Sequence, residues 1–154
     1  MGQREEESVA GPGPTGGALF CDTNVLVRLL TGEPASQADA AQAALDAAGE
    51  GPAPLILNDV VVAELAYVLT EVYELTNAEA AALIARLLDL PGVQVLDEQV
   101  LREALGIWES VRLDFADAYL AALARSVRDA GVLSFDRDFD RVPGVRRTEP
   151  SAIP

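Results

Sequence analysis

Three short apolar runs, each closed by an Asp or Asn and separated by long stretches of helical periodicity, constrain this chain more than any other feature. They are Ala18-Leu19-Phe20-Cys21 before Asp22, Leu55-Ile56-Leu57 before Asn58 and Asp59, and Val132-Leu133-Ser134 before Asp136. Short apolar strands joined through helices, with no tight hairpin signal between them, are the pattern of parallel pairing. The expected class is therefore α/β, a sandwich built on a parallel sheet.

The intervening segments read as helices with identifiable ends. Val25, Leu26, Leu29 and Leu30 follow Asp22 at helical spacing, and Pro34 opens an Ala-rich helix to about Ala48. Asn58 or Asp59 caps a helix through Val61, Leu65, Val68, Leu69 and Val72. Asn77 begins another to about Leu90, ended by Pro91-Gly92 before a small strand at Val93 to Leu96. Asp97 caps a helix through Leu101, Leu105 and Trp108, and Asp114 caps one from Phe115 to Ala130, with Gly131 as the stop. A last weak strand falls around Val145 to Thr148. Residues 1–17, with Glu5 to Glu7 and a run of Gly and Pro, have almost nothing to bury and read as a disordered tail. Residues 18–154 then form one domain.

Composition removes whole classes of chemistry. The 154 residues contain no His, the 11 cations are all Arg, and Cys21 is the one thiol. A Ser-His-Asp or Cys-His triad, a His/Cys zinc site, an iron-sulfur cluster and a Schiff-base lysine are all excluded. Against the 11 cations stand 25 acids, for a formal charge of -14. This excludes a uniformly basic surface of the kind that coats nucleic acid. No stretch approaches the roughly 20 apolar residues of a membrane span, and the acidic N-terminus is unlike a signal peptide, so a cytoplasmic protein is expected.

The ionic chemistry left to such a chain belongs to carboxylates and hydroxyls. Asp22 and Asp136 each follow an apolar strand, at the end of a parallel sheet where ligands bind. Glu64, about one and a half turns into the helix after the second strand, and Asp117, in the first turn of the helix before the last core strand, can reach the same rim. Ala118, Ala121 and Ala122 beside Asp117 are small enough to leave room for a ligand. Each acid alone has an ordinary reading as a turn, cap or solvated residue. Four on one rim repel one another, which implies a bound cation, and oxygen-only ligands select Mg²⁺ or Mn²⁺. Cys21 and Trp108 read as core. Val60, Val62, Tyr67 and Tyr73 extend the apolar surface of their helix beyond one stripe, as a groove or a self-association face, or as ordinary burial.

Asp22-Thr23-Asn24-Val25-Leu26, Val61-Val62-Ala63-Glu64-Leu65, Asp114-Phe115-Ala116-Asp117-Ala118 and Ser134-Phe135-Asp136-Arg137-Asp138-Phe139 resemble, in order and spacing, the four acidic motifs of PIN domains, most closely those of the VapC-type ribonuclease toxins. The resemblance runs from about Leu19 to Arg147. It implies a three-layer sandwich with strand order 3-2-1-4-5 and a Mg²⁺-dependent endoribonuclease leaving 5'-phosphate and 3'-hydroxyl ends. Carried over by position, Asp22, Glu64, Asp117 and Asp136 match the acidic quartet. Thr23, Asp114 and Asp138 match supporting positions, and Ser134 stands where many relatives have Thr. Arg28, Arg112 and Arg137 are candidate phosphate contacts, as are Arg125 and Arg141, against the ordinary role of a surface cation.

The resemblance also implies an antitoxin partner whose cationic C-terminal segment reaches the site, and a homodimer. A housekeeping PIN nuclease of RNA processing and a non-catalytic PIN-like interaction module are the alternatives. A receiver domain is disfavoured by the missing lysine, and a phosphatase with an Asp nucleophile by Asn24, where a second Asp is wanted.

Overall fold

A computed structural model describes residues 17–153. The expected tail, apart from Gly17, lies outside the described residues. Strand β1 (Leu19–Phe20) leads into α1 (Thr23–Thr31) and α2 (Ala35–Glu50), then β2 (Leu55–Leu57) and α3 (Asp59–Tyr67), which continues as a π-helical turn over Val68–Val72. Next come α4 (Asn77–Leu88), β3 (Val93–Val95), α5 (Glu98–Ser110), α6 (Phe115–Ser126) and β4 (Val132–Leu133). A 3-10 turn over Arg137–Arg141 precedes β5 (Arg147–Thr148).

All pairings are parallel, as the connections require. One sheet has the order β1-β2-β3, with Leu19 opposite Leu55 and Ile56 opposite Gln94; the other pairs β4 with β5, Val132 opposite Arg147. The sequence 3-2-1-4-5 is thus met in its two halves, while no ladder joins β1 to β4 among the described residues. The strands are not uniformly buried: Phe20 is 68% and Leu133 57% exposed.

The core sits instead between the helices and the inner face of β2. Leu57, Val62, Leu65, Ile84 and Leu101 are fully buried, with Cys21 and Trp108 among the buried residues as expected. Val62 is therefore core and not part of an exposed face. Ala118, Ala121 and Ala122 are also completely buried, so their small size permits close helix packing and leaves no room for a ligand. Trp108 meets Phe115 edge-on at 5.3 Å, locking α5 to α6.

Several helix ends are sharper than the periodicity suggested. Asn58, not Asp59, caps α3, accepting from the Val61 N–H at 2.8 Å. Thr76 and Glu79 form a reciprocal capping box that starts α4. Asp114 makes no side-chain cap bond, and α6 stops at Ser126, with Asp129 at φ +60° turning the chain ahead of Gly131. No helix among the described residues is long and apolar enough to cross a membrane.

Gly92 supplies a stability prediction. Its φ of +81° lies in the left-handed region, and a Cβ there would stand 2.3 Å from the Ala48 carbonyl carbon. Gly32 has a similar φ of +73° but open space around it. In urea unfolding, Gly32→Ala should cost about 1 to 2 kcal/mol from backbone strain alone. Gly92→Ala adds a backbone clash and should cost about 3 kcal/mol or more. Equal losses would show that the close approach of β3 to α2 carries no energy.

Candidate active site

The site begins at the carboxyl end of β1. Asp22 is the N-cap of α1, exposed, with its carboxylate accepting the Thr23 N–H at 2.8 Å. Thr23 is buried to 5% exposure, the one buried polar residue among those described, and its Oγ1 donates to Glu64 Oε2 at 2.7 Å. This bond ties the first turn of α1 to the second turn of α3. It also fixes one oxygen of an otherwise exposed Glu64.

A second group gathers around the N-terminus of α6. Asp117 is half-buried in the first turn, beside the exposed, uncapping Asp114. Burial pushes the Asp117 carboxyl above its ordinary range, and the negative charges of Asp114, Asp136 and Asp138 push it further in the same direction. Those three acids are thus near enough to be felt through the protein. The loop carrying two of them is ordered from within: Ser134 Oγ accepts the Asp136 N–H at 2.9 Å, and Asp136 Oδ1 accepts the Asp138 N–H at 2.8 Å.

Sequence reasoning missed Arg147, which holds this loop from β5. Its guanidinium donates to the Ser134 carbonyl at 3.0 Å and to Asp140 at 3.0 and 3.2 Å, with Glu149 at 3.3 Å. The signal was available, since Arg147 falls in the weak strand that pairs with β4.

The eight candidate side chains therefore fall into two subsets. Asp22, Thr23 and Glu64 form one; Asp114, Asp117, Asp136 and Asp138, with Ser134 behind them, form the other. Among the described residues, no three acidic or cysteine side chains converge closely enough to enclose one metal ion. The donor chemistry nonetheless fits a hard divalent cation. Every donor is oxygen, and the field at Asp117 is one that a cation would relieve. Of the six acids in the two subsets, only Asp138 has an ion-pair partner among the described residues, Arg141 at 3.3 Å.

The candidate phosphate contacts separate as well. Arg112 and Arg137 are exposed and make no ion pair among the described residues, and they neighbour Asp114 and Asp136 in the chain. Arg28 instead donates to Gln37 Oε1 at 2.9 Å and lines a groove of about 560 Å³ between α1 and α2. Arg125 is held by Glu103 at 3.0 Å and by the Pro143 carbonyl.

Among solved structures, the chain is similar to VapBC2 from Rickettsia felis bound to a DNA fragment from its promoter. The identity is 17%, over 86% of this chain and 98% of that one, with a TM-score of 0.36. No curated protein matches. The family model described as PIN domain matches residues 19–145, which takes in every acid of both subsets. The chain belongs to the PIN domain family.

Proposed function

We propose that this PIN domain is a metal-dependent endoribonuclease, the toxin of a toxin-antitoxin pair, acting in the cytoplasm as a homodimer. The observation that carries the reading is the match of the PIN domain model to residues 19–145, which take in Asp22, Glu64, Asp117 and Asp136, with the Asp117 carboxyl pushed above its ordinary range by burial and by the charges of Asp114, Asp136 and Asp138. Asp22 and Asp117 are the principal metal ligands. Glu64 is a ligand or the base that orients water, oriented itself by Thr23 Oγ1. Asp136 completes the donor set, and Asp114, Asp138 and Ser134 shape the loops that present it.

A divalent cation held by these carboxylates would make a bound water more acidic and offset negative charge at the scissile phosphate. Arg112 and Arg137 hold the RNA phosphates beside the acids, where a net charge of -14 makes local cations the only steering available. Val60, Tyr67, Val72 and Tyr73, at 73%, 64%, 63% and 43% exposure, offer an apolar ridge on α3 and its π turn for self-association.

The test is to incubate the purified protein with structured and single-stranded RNA pools, with and without Mg²⁺ or Mn²⁺, and map the ends. Metal-dependent internal cuts with 5'-phosphate and 3'-hydroxyl ends are expected. Intact RNA under all conditions would leave the non-catalytic module as the better account.

A further inference from the structure

The two acid subsets hang on different parts of the fold. Asp22 and Glu64 follow the three-stranded sheet, whereas Asp117 and Asp136 belong to α6 and the β4-β5 pair. With no ladder between β1 and β4 among the described residues, backbone pairing does not set the distance between them. Packing of α3 and α6 within one core, and the bonds between them, set it instead.

One side-chain bond joins the two helices that carry Glu64 and Asp117. Tyr119 Oη, on α6 two residues after Asp117, donates to Asp59 Oδ2 in the first turn of α3, the helix that carries Glu64. Among the described residues it is the only side-chain hydrogen bond between α3 and α6. Each end is rigid. The Tyr119 ring lies at 28° to Phe115, with centroids 6.3 Å apart, and Phe115 is itself braced by Trp108. Asp59 directly follows Asn58, whose side chain caps the same helix, so its carboxylate sits where the helix dipole favours negative charge.

The other oxygen, Asp59 Oδ1, is buried without a hydrogen-bond partner, the one such side-chain atom among the described residues. Among the described residues, the Tyr119 hydroxyl is thus the sole donor to this carboxylate.

We propose that Asp59 and Tyr119 are a positioning pair that sets the Thr23–Glu64 side of the site against the Asp117 side. The proposal rests on the nuclease reading for its catalytic consequence, though not for its geometry.

Tyr119→Phe removes one hydroxyl and keeps the aromatic stack. Asp59→Ala removes the acceptor, whereas Asp59→Asn keeps a carbonyl oxygen that Tyr119 can still reach. For each full-length variant, the Mn²⁺ dissociation constant is measured by calorimetry and kcat and KM on RNA. Loss of groups that orient metal-site side chains costs about 10- to 100-fold in affinity or rate. Tyr119→Phe and Asp59→Ala should therefore weaken Mn²⁺ binding and lower kcat by at least about tenfold, with KM within about twofold, while Asp59→Asn recovers most of both.

A merely structural bond would lower the melting temperature and leave Mn²⁺ affinity and kcat within about twofold, which would overturn the proposal. So would an Asp59→Asn variant as impaired as Asp59→Ala. If the parent binds Mn²⁺ but cuts no RNA, the nuclease reading fails and the Mn²⁺ comparison still decides the pair. A parent that binds no Mn²⁺ overturns both.

Discussion

Asp22→Asn and Asp117→Asn should each reduce RNA cleavage by at least about 100-fold, on the order of 3 kcal/mol of barrier. Neither change should unfold the protein. Asn is as good an N-cap as Asp, so α1 keeps its start when Asp22 is replaced. At Asp117 the expected effect on folding is favourable. A carboxyl held above its ordinary range contributes stability that is fully present below the unfolded-chain value and lost as pH rises through its own. Ionised Asp117 therefore opposes folding near pH 7, and the amide removes that opposition. The metal-free melting temperature of Asp117→Asn at pH 7 should equal or exceed the parent's, while at acid pH the difference closes. Retention of cleavage by both variants would reject the site assignment, and a collapse of their melting temperatures would assign these acids to the fold.

Complete inhibition by a partner is the second large effect. A chain of -14 repels RNA at long range but attracts a cationic peptide. A cleft of about 440 Å³ opens against Asp114, lined by Tyr67, Thr70, Glu71, Asn77, Trp108 and Phe115. Its free acceptors are the Glu71 and Asp114 carboxylates, and its exposed ring is Tyr67, a setting that suits an Arg or Lys side chain better than a phosphate. The account therefore predicts a small cognate antitoxin that places a cationic side chain beside the acids. Co-expression with the product of the adjacent upstream gene should yield a complex that co-purifies and cuts no RNA until it is dissociated. An active protein that nothing from the neighbouring gene binds or inhibits would favour the housekeeping nuclease.

Much of this was legible in the sequence because local chemistry decides it. Asn58 and Asp97 accept helix-start N–H groups as their positions promised, and apolar runs before acids became parallel strands. Thr76-x-x-Glu79 also spells a capping box, although the helix was expected only to begin at Asn77. Other features are set by tertiary packing. Nothing in Val68-Leu69-Thr70-Glu71-Val72, which lacks Gly and Pro, announces a π turn there. The alanines beside Asp117 looked like empty space and proved to be helix packing, because the sequence does not say which face of α6 meets α5. The pairing of Tyr119 with Asp59, 60 positions apart, and the bond from Thr23 to Glu64, 41 apart, have no local signature. The candidate acids could be picked out from spacing, but their division into two subsets could not.

Binding of the metal alone reports on that division most directly. Titrating Mn²⁺ into the purified, metal-free protein by calorimetry, beside the Asp22→Asn/Asp117→Asn double variant, tests whether these acids bind the ion. A cation that binds only the folded cluster also stabilises it by mass action, by about 2.7 kcal/mol at 100 times its dissociation constant. The account predicts saturable binding and a raised melting temperature in the parent, both lost in the double variant. Equal binding and an equal thermal shift in the two proteins would place the ion elsewhere and contradict it.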